Sequence, residues 1–166
     1  TLHDAGAGRQ WNLTVPAGCI VSVVDTDLFS LHAALCGSFS DVPYGNYNYE
    51  FIYYLACQHI VSGYCDTTFR PANPVTRGQL AKMVANSACW DDPPGAQMFQ
   101  DVPPGHTYYQ WVELLAQQGA MNGYPCGGSG EPCGPNNLPS FRPQAAASRG
   151  KGTKIVSNVY FQVCAP

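Results

Sequence analysis

The feature that most constrains this chain is an internal duplication. Phe39-Ser-Asp-Val-Pro43 returns as Phe99-Gln-Asp-Val-Pro103, and each copy runs through an apolar stretch to Gly-Tyr (Gly63-Tyr64, Gly123-Tyr124). Phe-Arg-Pro follows (69–71 and 141–143), then a hydroxyl-Arg-Gly step (Thr76-Arg77-Gly78, Ser148-Arg149-Gly150). Without gaps, Phe39–Tyr64 and Phe99–Tyr124 are identical at 11 of 26 positions, and Phe69–Ser87 and Phe141–Val159 at 8 of 19. Four residues separate Tyr64 from Phe69 but sixteen separate Tyr124 from Phe141, so the second copy carries twelve extra. A repeat of this size is one supersecondary unit that cannot bury its apolar face alone, so the copies must pack on each other or on a neighbouring chain.

Composition narrows the function classes. Only 11 % of the 166 residues are charged and the net charge is −3, which provides no basic surface for nucleic acid. No apolar run reaches the roughly 18 residues of a membrane span. The chain has no initiator Met and no charged-then-apolar leader, so Thr1 is expected to be a processed or trimmed end. No Gly-x-Ser-x-Gly elbow, His-Glu-x-x-His or phosphate-cradling loop is present. Glu113 and Asp101 are the nearest thing to a carboxylate pair, and nothing brings them together for glycoside hydrolysis. Catalysis and a cofactor are not expected.

Eight cysteines (19, 36, 57, 65, 89, 126, 133, 164) form an even set. No Cys-x2-Cys pair exists and the four His do not fall in ligand order with them, which favours disulfides and an oxidising, extracellular setting over zinc. Two pairs are local: Cys126–Cys133 around a Gly-rich loop, and Cys57–Cys65 tying a helix end to its following turn. Cys19, Cys36, Cys89 and Cys164 then pair among themselves in one of three ways. Asn12-Leu-Thr14 is a glycosylation sequon.

The local pattern predicts a mainly α fold with a small β component. Residues 1–38 form a β-rich arm, with strands expected at Trp11–Val15 and Ile20–Val24 and either helix or strand over Leu28–Leu35. Phe51, Ile52, Leu55, Ala56 and His59 recur at helical spacing, giving a helix from about Asn46 to Ile60; Trp111, Val112, Leu115 and Ala116 repeat the pattern. Gly63 and Gly123 suit a left-handed or tight-turn backbone, and the Phe-Arg-Pro segments an extended one. Thr76 and Ser148 are N-caps for second helices, with apolar faces at Leu80, Met83, Val84, Ser87 and at Ile155, Val156, Val159, Tyr160. The tail Tyr160–Cys164 is apolar and strand-like, and is expected to pair with the N-terminal strands. The organisation is an arm (1–38), a first helix–loop–helix repeat (39–89), a linker (90–98) and a second repeat (99–166) with an insertion at 125–140.

At this point the residues resemble the S-layer homology repeat. That family reads as Phe-x-Asp-Val-Pro, an aromatic helix, Gly-Tyr, Thr-Phe-Arg-Pro and Thr-Arg. Here these are Phe39–Pro43, Ile60-Val-Ser-Gly-Tyr64, Thr68-Phe-Arg-Pro71 and Val75-Thr-Arg-Gly-Gln79, and residues 99–160 follow the pattern more loosely. The Cys126–Cys133 insertion looks like a cysteine-bearing variant of bacterial surface proteins. The resemblance implies a secreted, non-catalytic module that tethers chains to acidic cell-wall polysaccharide or builds surface layers. It maps glycan contact onto Arg77 and Arg149, with help from Tyr64, Tyr124, Arg70 and Arg142; a planar guanidinium meets a carboxylate bidentately. This chain departs from the family in having Gly78-Gln79 and Gly150-Lys151 after each arginine and two repeats where three form the common anchor.

Each of these residues has a structural reading beside the functional one. Arg70 and Arg142 suit covering helix ends as well as ligand contact, and Arg77 and Arg149 divide evenly between the two. Asp41 and Asp101 suit capping the turn before each first helix, since no Asp-x-Asp ladder for calcium follows. The tyrosines at 44, 47, 49, 53, 54, 108 and 109 suit packing and interfaces more than sugar stacking. The function expected is self-assembly at the cell surface, into a layer or filament with copies of itself as partners. The alternative is anchoring to envelope polysaccharide.

Overall fold

The computed structural model describes residues 2–3, 10–11, 38–90, 92–130 and 132–163. Among them are four helices: α1 Tyr49–Cys57, α2 Arg77–Ser87, α3 Tyr109–Gln117 and α4 Arg149–Val163. Two short antiparallel strands, β1 Leu2–His3 and β2 Gln10–Trp11, pair with Leu2 opposite Trp11. The protein is mainly helical, as the periodicity predicts. Trp11 aside, the strands expected in the arm, the 28–35 segment, Asn12, Cys19, Cys36 and Cys164 lie outside the described residues.

The chain divides into two compact units, Thr1–Ala72 and Asn73–Pro166. The division falls inside the first sequence copy, with α1 and its connector on one side and α2 on the other.

In the first unit a small aromatic core gathers on Val42, Ile52 and Tyr53, with Phe39, Tyr49 and Phe69 packed around them. Ring centroids lie 4.4–5.5 Å apart, and the Tyr53 hydroxyl accepts the Phe39 N–H at 2.8 Å. α1 is shorter than the pattern predicts. It ends where His59 turns left-handed (φ 57°), with the N–H groups of His59 and Ile60 folding back onto the Ala56 and Leu55 carbonyls. His59 is therefore exposed past the helix end, not packed on its apolar face, and glycine fills the same left-handed place in the second copy (Gly119, φ 65°). Phe51, expected in the core, is 64 % exposed.

In the second unit α2 packs on α3 and α4 around Val84, Ala85, Phe99, Val102, Leu114, Leu115, Phe141 and Ile155. Thr76 starts α2 with a full capping box: its hydroxyl accepts the Gln79 N–H, and the Gln79 carboxamide accepts the Thr76 N–H. The buried face of α2 is Arg77, Gly78, Ala81, Val84 and Ala85, so Leu80 and Met83 lie at its margin and Ser87 is exposed. On α4 the buried pair is Ile155 and Val159, while Val156 and Tyr160 point outward. The C-terminal tail is helical through Val163, not a strand; it continues the helix that begins at Arg149, with no Gly or Pro between Thr153 and Val163 to break it.

Two local readings change. Gly63 and Gly123 are not at positive φ. A Cβ at either would collide with the Phe39 or Phe99 ring and with the Thr68 or Ser140 carbonyl, so glycine serves close approach. The Phe-Arg-Pro segments are not fully extended: Arg70 and Arg142 are both left-handed (φ 61°). Asp41 holds that kink by accepting the N–H groups of Phe69 (2.8 Å) and Arg70 (2.7 Å), and Asp101 accepts those of Phe141 and Arg142 (both 2.7 Å). These carboxylates pin the connector instead of capping the turn before the helix. Two N–H bonds to one charged group offset the cost, roughly 1–2 kcal/mol, of a left-handed non-glycine residue.

The insertion leaves the frame intact. Tyr64 N–H donates to Thr68 O, and Tyr124 N–H donates to Ser140 O at the matching place, so the twelve residues bulge between two fixed points. Cys126–Cys133 closes that bulge with Cα atoms 4.8 Å apart. Gln100 ties it down, donating to Pro132 O and accepting the Gly134 N–H. The other local pairing fails. Cys65 is free and exposed, whereas Cys57 and Cys89 are disulfide-bonded; with Cys126 and Cys133 joined to each other, Cys57 takes its partner from Cys19, Cys36, Cys89 and Cys164, so those four do not pair among themselves.

Candidate functional site

Each copy stacks an arginine on the tyrosine of its Gly-Tyr step. The Arg70 guanidinium lies 4.0 Å above the Tyr64 ring and that of Arg142 lies 4.0 Å above Tyr124. The left-handed backbone at each arginine aims the side chain back across the connector. Beyond this shared stack the copies diverge.

In the first copy an acid neutralises the stack. Asp66 pairs with Arg70 at 2.8 Å and accepts from the Thr68 hydroxyl and N–H. Hydrogen bonds from Thr68 and Arg70 hold its carboxyl at about 2. In the second copy cations accumulate. Arg77 and Lys151 stand 5.1 and 5.6 Å from the centre of the Tyr124 ring, and the Lys151 ammonium donates to the Tyr124 hydroxyl at 3.0 Å. That bond, with the neighbouring positive charge, pulls the Tyr124 phenol below its usual value. Lys151 occupies the position of Gln79. Lysine offers no acceptor to complete a capping box, so its side chain reaches the tyrosine instead.

The structure therefore brings together Tyr64 with Arg70, and Tyr124 with Arg142 and Arg77. Arg149 stands apart, exposed at the start of α4, and its guanidinium makes no hydrogen bond or ion pair among the described residues. Arg77 is only 5 % exposed. Its Nε donates to Phe141 O (2.8 Å) and its Nη2 to Asn122 O (2.9 Å), beneath the Phe141 ring at 4.5 Å. Burial pulls its pKa below the usual arginine value. Its buried contacts fasten α2 to the second connector.

Sequence reasoning missed Lys151, Asp66 and Glu113 as participants. Glu113 is wholly buried on α3. One carboxylate oxygen accepts the Met98 N–H at 2.9 Å; the other has no partner among the described residues. Burial pushes its carboxyl above the usual value. Its signal was a charged residue inside the apolar run Val112–Leu115. Among the described residues no helix is long and apolar enough to cross a membrane.

Each copy is thus a helix whose following connector is pinned by an aspartate, and a buried arginine fastens the first copy's second helix to the connector of the second. Residues 38–81 match one family model, the S-layer homology domain. That stretch, the first duplicated copy through the start of α2, is similar to an S-layer homology domain. The second copy lies outside the matched residues. No curated protein and no solved structure matches the chain.

Proposed function

We propose that this chain is a non-catalytic extracellular structural protein that self-assembles at the cell surface through two repeats of the S-layer homology type, the second a cysteine-bearing variant. The observation that carries the reading is the placement of its large apolar side chains. Tyr44, Tyr47, Phe51, Val156 and Tyr160 are each more than half exposed, in a chain with only 11 % charged residues. Apolar area left open on that scale seeks a partner. Purified protein is expected to form ordered oligomers visible by electron microscopy, growing with concentration. A species that stays monomeric by light scattering under native conditions would refute it.

A second reading, anchoring to acidic envelope polysaccharide, draws on the cations around Tyr124. Arg142 and Lys151 are solvent-exposed beside an aromatic face, a combination that suits a sugar carboxylate. The expected outcome is retention on cell-wall polymer that drops at least tenfold in Arg142→Ala/Lys151→Ala. Arg77 is not the residue to test, because its removal would loosen the fold. Equal retention by the double variant would discard this reading and leave self-assembly untouched.

A further inference from the structure

The two copies meet inside the second unit through one joint, and its geometry can be read residue by residue. On the donating side α2 and its C-cap residue present Arg77, Ala81, Val84 and Ala88 as one stripe, all buried. The N–H groups of Arg77 and Gly78 donate to the Ala145 and Pro143 carbonyls, at 2.8 and 2.9 Å. Gly78 has no room for a Cβ, because the Tyr108 ring closes on it. On the accepting side the connector supplies the Phe141 carbonyl to the guanidinium, and α3 supplies Trp111, whose indole N–H donates to Asn86.

The duplication places a second donating half on α4. Counting 72 residues onward, the stripe is Arg149, Thr153, Val156 and Tyr160, and all four are exposed, Val156 by 55 % and Tyr160 by 59 %. The N–H groups of Arg149 and Gly150 make no hydrogen bond among the described residues. Space at Gly150 is open, with no atom within 4 Å of a Cβ there. Glycine near a helix start with nothing packed against it costs helix stability without local return.

A second accepting half lies in the first unit. Phe51 of α1 occupies the place of Trp111, and it is 64 % exposed. The Phe69 and Pro71 carbonyls, at the places of Phe141 and Pro143, accept no hydrogen bond among the described residues. The Asp41-pinned kink presents them as Asp101 presents theirs.

We propose that these two halves meet between subunits: α4 of one chain, led by Arg149 and Gly150, seats on α1 and the 69–71 connector of the next, repeating the internal joint. The occupant is a second copy because each half has its complement, already built, elsewhere in the same sequence. The described residues carry one open donating half and one open accepting half, so the contact between copies is heterologous and propagates head to tail. In it the Arg149 guanidinium donates to Phe69 O, and the Gly150 N–H donates to Pro71 O. This rests on the self-assembly reading and names the surfaces that perform it.

The test uses Gly150→Leu in the full chain, without polysaccharide. No atom lies within 4 Å of a Cβ added at Gly150, but a leucine there fills the place where the next subunit must close, with Asn48 standing where Tyr108 closes on Gly78. Circular dichroism of the variant is expected to match the parent and its thermal unfolding to match or slightly exceed it, while its assembly midpoint rises at least about tenfold. The variant keeps its accepting half, so added to the parent at one part in ten it should cap growing ends and shorten the polymers seen by electron microscopy. Arg149→Ala should raise the midpoint in the same direction. A folded Gly150→Leu that assembles like the parent overturns the joint and leaves self-assembly standing. A parent that never assembles removes both.

Discussion

Arg77 and Arg149 hold the same place in the duplicated pattern and have opposite surroundings. The first is buried under an aromatic ring with two backbone carbonyls as acceptors; the second is exposed in solvent, and its guanidinium has no acceptor among the described residues. The difference is not in the arginines. It lies in whether a connector packs on the helix start to receive them: the 141–145 segment takes that place on α2, and no segment among the described residues takes it on α4.

The largest effect that would break this comparison is the alanine pair. Arg77→Ala leaves two carbonyls buried without donors and removes a stacked planar group, and is expected to destabilise the second unit by about 3 kcal/mol or more. Arg149→Ala is expected to fall within about 0.5 kcal/mol of the parent, as exposed substitutions do. Denaturant unfolding of both at a concentration below assembly checks this. Equal losses would mean the two sites are not in different environments.

A smaller and more local contrast is Gly78→Ala against Gly150→Ala. At Gly78 the added methyl meets the Tyr108 ring and is expected to cost about 1–3 kcal/mol through overpacking. At Gly150 the same methyl meets nothing and should stabilise by up to about 1 kcal/mol through helix propensity. The same unfolding experiment reads opposite signs. A matching loss at both positions would show that backbone conformation, not packing, decides these glycines.

Much of this was legible in the residues. The helices, the Thr76 cap and the Cys126–Cys133 bridge follow from periodicity, capping chemistry and short separation. What was not legible depends on partners distant in sequence. Periodicity marks an apolar face but cannot say that α2 buries Arg77 and Ala81 in preference to Leu80 and Met83, because that choice is made by α3. A proline predicts an extended predecessor, and Arg70 and Arg142 are left-handed only because Asp41 and Asp101, about thirty and forty residues earlier, grip both N–H groups. Cys57 and Cys65 are near neighbours in sequence, yet nearness does not bond them. For the candidate site, the Tyr–Arg stacks were within reach of motif reasoning, whereas Lys151 was visible only as a substitution after the arginine.

The subtlest contrast is in how the two units respond to acid. In the first, backbone N–H bonds from Phe69 and Arg70 lower the Asp41 carboxyl, and Thr68 and Arg70 hold Asp66 at about 2. Folded values below the unfolded ones mean these groups favour the fold at neutral pH. That contribution is lost as pH falls from the ordinary carboxylate range through about 2. In the second unit Glu113 runs the other way. Its folded value is raised by burial, so its contribution is fullest below the ordinary glutamate range and is lost as pH rises through the folded value. Mild acidification from pH 7 to pH 5 should therefore strengthen protection of α3 amides in native-state hydrogen exchange while leaving α1 nearly unchanged. Glu113→Gln should flatten the α3 response, because the carboxamide has no proton to gain. Weaker α3 protection at pH 5, or an α3 slope that survives the glutamine, would show that the buried carboxylate is not what sets the second unit apart.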